Sequence, residues 1–225
     1  MKLEHRYDRN LIISSNEQEL LREKRVAVIG AGGLGGYVCE MLARMGIGHL
    51  LIFDFDTFSE SNLNRQVVAT ESNLGKNKAL EAKKRISEIN SEVEAEAFTE
   101  KPGRENIVKL LSGCDLVIDC LDTVRDKLSL QGIAKELKIP MVHGAIGGWF
   151  GQVTTIMPGN DTLEIIYPSH EEPDNSDGNP SFTPAIVAGI QVSEAVKVLL
   201  EYDDILQRKL LVIDTLANEF QVAEL

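Results

Sequence analysis

Apolar runs alternate with amphipathic stretches along most of this chain. The VAVI run at 26–29 is apolar and β-branched, the pattern of a strand buried on both faces, and a helical pattern follows over 37–44. HLLIFDFD at 49–56 reads as a second strand that ends in carboxylates, and residues 76–90 read as an amphipathic helix. VEAEAF at 93–98 alternates as a third strand. DLVIDCLD at 115–122 is a buried strand ending at an aspartate, and a helix at 124–137 leads to IPMVHGAI at 139–146. Strand and helix in alternation predict a parallel, doubly wound α/β sheet of Rossmann type.

The pattern then changes. GQVTTIMP at 151–158 and LEIIYP at 163–168 read as sheet additions with no helix between them, hence antiparallel. A polar loop rich in Pro, Asp and Asn occupies 168–182, and loops of that length are usually functional or disordered. An apolar helix is expected over 184–201, and KLLVID and EFQVAEL close the chain as a hairpin. No repeat or linker interrupts this, so residues 1–225 are expected to form one domain.

Composition narrows the class. The net charge of −12 disfavours sequence-independent nucleic-acid binding, which needs cations to displace phosphate counterions. No uninterrupted apolar run approaches the roughly 20 residues of a membrane helix, and the N-terminus lacks the apolar core of a signal peptide. Cys39, Cys114 and Cys120 form no C-x-x-C pair. They read as buried small hydrophobes rather than as a disulfide or zinc framework, in a cytoplasmic protein.

The candidate chemistry starts at GAGGLGG. Gly30, Gly32 and Gly35 fit G-x-G-x-x-G between a strand and a helix, with Gly33 inside the turn. Such a turn lets backbone approach a phosphate, while the helix N-terminus faces the anion. Asp54 stands at the end of the second strand, where a Rossmann sheet holds the acid that bonds a ribose hydroxyl. A dehydrogenase and an ATP enzyme agree to this point. They part at Asn62, Arg65, Gln66 and Lys78, a polar group following the ribose acid, and at Asp122. A triphosphate carries roughly four negative charges and needs positioned cations plus Mg²⁺ on a carboxylate, whereas hydride transfer needs neither.

RYDRN near the start, GAGGLGG, DFD, SNLNRQ, GKNK, DCLD and the long loop before the final helix together resemble the ThiF/MoeB/HesA family, bacterial relatives of ubiquitin-activating enzymes. The resemblance implies that Asp54 binds the ribose of ATP, that Asn62, Arg65 and Lys78 contact the triphosphate, and that Asp122 holds Mg²⁺. It places Asp56, Gln66 and Leu121, inside the same motifs, among the nucleotide-binding positions. It assigns Arg9 to the ATP phosphates of the neighbouring subunit in a symmetric homodimer. The implied activity is adenylation of the C-terminal glycine of a small ubiquitin-like, diglycine-ended sulfur carrier, as in thiamin or molybdopterin biosynthesis, with release of pyrophosphate.

Elementary chemistry agrees with that activity. A carboxylate becomes a good acyl donor once its oxygen attacks the α-phosphorus, since AMP can then leave. No general base is needed, because the tail carboxylate is already ionised. The enzyme's task is to hold two anions together. The 168–182 loop would be a lid over the tail.

The chain also departs from the family. It lacks the paired C-x-x-C motifs for zinc and has no cysteine on the long loop, so a separate sulfur donor is expected. Cys120, near Asp122, is expected to be an inert thiol. Thr123 and Lys127 stand where asparagine and arginine are usual. His143, His170 and Trp149 are expected to be structural or solvated. Alternatives are an enzyme adenylating another carboxylate (a peptide terminus or a modified tRNA base), a dehydrogenase, and a scaffold without turnover.

Overall fold

The computed structural model describes residues 5–101, 103–172 and 178–225. A helix not foreseen in the sequence, α1 (Ser15–Glu23), comes first. Ser14 caps it: its Oγ accepts the Glu17 N–H, and the Glu17 carboxylate accepts the Ser14 N–H at 2.7 Å. Its apolar content is low and only Gln18 and Leu21 are buried, so periodicity is nearly silent there.

Five strands follow with helices between them: β1 (Arg25–Ile29), α2 (Gly33–Met45), β2 (His49–Phe53), α3 (Lys78–Ile89), β3 (Glu94–Phe98), α4 (Arg104–Leu111), β4 (Leu116–Asp119), α5 (Val124–Leu137) and β5 (Met141–Gly147). β6 (Phe150–Ile156), α6 (Thr162–Ile166), α7 (Phe182–Leu199), β7 (Lys209–Asp214) and β8 (Glu219–Glu224) complete the chain. The strands join one sheet in the order β3-β2-β1-β4-β5-β6-β7-β8. β3 through β5 are parallel; β6, β7 and β8 are added antiparallel. The expected doubly wound sheet with antiparallel additions is therefore present.

Strand alternation divides the core between the two faces of the sheet. Val26 and Val28 of β1 join the cluster with Leu42 of α2 and Val192 of α7, while Ala27 and Ile29 join Leu130, Ile133 and Leu163 on the other face. Each buried leucine in these clusters contributes about 2–5 kcal/mol against its replacement by alanine. α7 is long and apolar enough by composition to cross a bilayer, but more than half of it is buried here, against α2, β5 and β6.

Two sequence expectations change. LEIIYP is not a strand: residues 162–166 are helical, and Leu163, Ile166 and Tyr167 recur at helical spacing toward the core while Ile165 is exposed. α4 was not anticipated, because Leu111 is its one fully buried residue. The strand order reverses between β1 and β4, and open α/β sheets bind ligands outside that switch point.

Candidate active site

Gly30 follows β1 with φ +98°, and a Cβ there would lie 2.6 Å from the Cys120 carbonyl oxygen. Only glycine fits. Gly35, in the first turns of α2, has a different task from its neighbours. A Cβ on it would come within 1.8 Å of the Gly30 carbonyl oxygen, and it does not line the cleft. It lets helix and turn close on each other, so its contribution to ligand binding is indirect. Gly32 and Gly33 do line the cleft, and the N-cap Gly32 brings no side chain to the open N–H groups of α2.

The cleft beyond this turn measures about 780 Å³. Asp54, Asp56, Asn62, Arg65, Gln66, Lys78, Leu121 and Asp122 all line it, so eight of the positions singled out in the sequence converge there. Asp54 lies just past the end of β2. Its Oδ2 accepts the Ala31 N–H at 2.7 Å and its Oδ1 the Asp56 N–H at 2.9 Å. Burial nevertheless keeps its pKa above the ordinary carboxylate value.

The cations are held by local capping. Asn77 caps α3, accepting the Leu80 N–H, and its amide donates to the Asp54 and Asp56 carbonyls. That fixes Lys78, the first residue of α3, inside the cleft wall, where its Nζ is 3.2 Å from the Asp56 carboxylate. Arg65 donates to the Ser61 carbonyl and to Asn64 Oδ1, both at 2.9 Å, and has no carboxylate partner among the described residues. Gln66 is buried with its Oε1 unpartnered. Asp122 is exposed in the cleft, and no donor occupies its carboxylate among the described residues.

A buried polar cluster underlies this surface; the sequence singled out Lys127 and His143 but neither Asp119 nor their meeting on it. Asp119, the last residue of β4, is fully buried, with Lys127 Nζ 3.3 Å and His143 Nδ1 2.7 Å from its Oδ2. Burial alone would raise the Asp119 pKa; the Lys127 charge and the His143 bond outweigh it and hold it low. Burial, aided by Lys127, keeps the His143 pKa below its ordinary value. Lys127 thus belongs to the cleft floor. The sequence marked it only as a departure from the family's usual arginine, which does not reveal its pairing with Asp119. Glu172 was missed as well: it accepts the Val124 N–H at 2.9 Å at the start of α5, beside Asp122. Thr123 caps the same helix through the Asp126 N–H.

The remaining positions lie elsewhere. Arg9 is exposed and does not line the cleft of its own chain. Arg6 and Tyr7 are tied to the end of α3: Arg6 donates to the Ile89 carbonyl at 2.6 Å, and Asn90 donates to the Tyr7 hydroxyl. Cys120 follows the end of β4 at Asp119 and lines the cleft, with burial raising its thiol pKa well above the ordinary value. His143 is inside β5 rather than at its end. His170 pairs with Glu164 at the surface, and Trp149 packs on Phe182 outside the cleft. Of the expected lid, residues 173–177 lie outside the described residues.

Comparison with known proteins identifies relatives over nearly the whole chain. The chain is 33% identical over 224 residues to the SAMP-activating enzyme E1 of Haloferax volcanii, covering 96% of this chain and 83% of that protein. It is 33% identical over 232 residues to the sulfur carrier protein adenylyltransferase of Thermus thermophilus, covering 96% and 85%. The crystal structure of E. coli MccB with ATP superposes with a TM-score of 0.83 at 20% identity, over 99% of this chain and 71% of that one, which establishes likeness of fold. The ThiF family model matches residues 7–225, and the chain belongs to the ThiF family.

Proposed function

We infer that this chain is an ATP-dependent adenylyltransferase that activates the C-terminal carboxylate of a small ubiquitin-like sulfur carrier as an acyl-AMP. It would work as one adenylation domain over its full length. The observation that carries the reading is one cleft joining a glycine turn, two cations and a carboxylate with no partner among the described residues. The related enzymes named above are adenylyltransferases or activating enzymes.

Each residue has a physical task in that reaction. Asp54 keeps lone pairs for ribose hydroxyls while its N–H bonds lock it to the glycine turn. The Gly32–Gly33 backbone, Arg65 and Lys78 neutralise the triphosphate, with Lys78 exchanging Asp56 for a phosphate oxygen. The side-chain NH2 groups of Asn62 and Gln66 would donate neutral hydrogen bonds. Leu121 borders the nucleotide on the β4 side. The carrier's carboxylate attacks the α-phosphorus and pyrophosphate departs; the site contributes alignment and charge compensation.

Asp122 fits a metal, since it lines the cleft with no donor to its carboxylate among the described residues. Bound Mg²⁺ would neutralise phosphate oxygens there. The tail would enter past Gly147, Phe150 and Gln152, where exposed Phe150 and Val212 continue the cleft onto the outer strands. The raised Cys120 pKa makes a poor nucleophile, which supports a product released as acyl-adenylate to a separate sulfur donor. A homodimer belongs to the same proposal: Leu11 and Ile12, beside Arg9, are 85% and 90% exposed, an apolar pair that a second copy would cover. The absence of paired cysteines accords with a cytoplasmic setting.

The test is exchange of labelled pyrophosphate into ATP, carried out with each small diglycine-ended protein of the host. Exchange dependent on one carrier is expected. Exchange with none of them would overturn the assignment.

A further inference from the structure

Asp122 has no hydrogen bond to the protein among the described residues, so the backbone alone sets its position. That backbone is held by Asp119. Its Oδ1 accepts the Leu121 N–H at 3.0 Å, and its main-chain carbonyl accepts the Gln191 amide of α7 at 2.8 Å. Lys127 reaches both Asp119 oxygens and also donates to the Gly144 carbonyl at 3.0 Å.

The cluster extends beyond Asp119. With His143 Nδ1–H donating to Asp119 Oδ2, a neutral ring presents Nε2 as an acceptor. The Tyr167 hydroxyl, 3.3 Å away, can donate to it, and the Tyr167 oxygen accepts the Gln152 amide at 2.6 Å. Every donor in this chain has an acceptor when it runs from Gln152 to Asp119. Tyr167 and Gln152 line the same cleft as Leu121 and Asp122. A buried ion pair contributes little stability compared with apolar residues of equal volume. Its placement directly under the β4 terminus points to orientation as its task.

We propose that Asp119 is a positioning residue for the Leu121–Asp122 turn, and that His143, Tyr167 and Gln152 hold it in register with the cleft. This rests on the adenylation reading, with Asp122 as metal carboxylate. Tyr167→Phe removes the hydroxyl from a half-buried ring, and His143→Gln breaks the chain one link closer. Binding of ATP without any carrier is measured by calorimetry, once with Mg²⁺ and once with EDTA. Both variants are expected to bind ATP at least threefold more weakly with Mg²⁺ and like wild type in EDTA. Equal binding to wild type under both conditions, while Asp122→Asn is weakened with Mg²⁺, would overturn the positioning role and leave the adenylation reading standing. Weakening under both conditions would mean a general structural effect and would also overturn it. Failure of the wild type to bind ATP at all would instead remove the reading on which it rests.

Discussion

The Oδ2 of Asp54 accepts the Ala31 N–H at 2.7 Å, tying the end of β2 to the glycine turn that follows β1. In the proposed reaction one carboxylate would therefore serve both the ribose and the shape of the glycine turn. Asp54→Ala is expected to raise the KM for ATP about tenfold or more, the worth of a charged hydrogen bond of ~1.5–3 kcal/mol, with a smaller change in kcat. Asp54→Asn retains an acceptor for one of the N–H groups and should be milder. Steady-state pyrophosphate exchange decides it; a defect confined to kcat would contradict the ribose role.

Asp122→Ala should abolish exchange, because several kcal/mol of charge neutralisation depend on a metal carboxylate in such sites. The side chain is exposed and makes no hydrogen bond among the described residues, so the thermal midpoint should match wild type. A folded variant with wild-type exchange would refute the assignment.

The cysteines are expected to be dispensable for the adenylation step. Burial pushes the Cys39 thiol up to about 12 and raises Cys114 as well, which leaves little thiolate near neutral pH. A Cys39/Cys114/Cys120 triple serine variant, if folded, should still form carrier adenylate. Detection by intact mass of an enzyme–carrier thioester in the wild type would overturn this.

Arg9 acting in trans makes a quantitative prediction. Arg9→Ala and Asp122→Ala homodimers should each be nearly inactive. After subunit exchange of an equal mixture, about half the dimers are mixed and each holds one intact site, so about one quarter of wild-type activity should return. No recovery, with exchange verified by mass, would place Arg9 outside the catalytic arrangement.

The Asp119–His143 pair predicts the acid side of the stability curve. His143 has a folded pKa below its ordinary 6.5, so between those two values the unfolded chain binds a proton that the folded one refuses. Stability must then rise with pH across that window and fall as pH drops below about 6.5. Asp119 has the opposite origin and the same sign: its folded pKa is depressed, so the stability it contributes above its unfolded pKa is lost as pH falls through the folded one. Denaturant titrations from pH 7 to 5 should show this slope, and His143→Gln should flatten it.

The sequence by itself determined the parallel half of the sheet, because buried strands and the helices between them impose distinct periods. It also determined the glycine turn, whose backbone demands exclude other residues, and the motif positions from Asp54 to Lys78. Their spacing follows from a strand end and the next helix start, both local features. Local patterning failed where burial was slight, at α1 and α4, and where a short apolar segment suits helix and strand equally, at 162–166. Only the tertiary structure decided that Asp119, Lys127 and His143 meet beneath the cleft. Their contacts join β4, α5 and β5, and no period along the chain encodes which polar side chains share one buried space. For the same reason, the separation of Gly35 from the ligand surface and the seat of Glu172 on α5 became visible only in three dimensions.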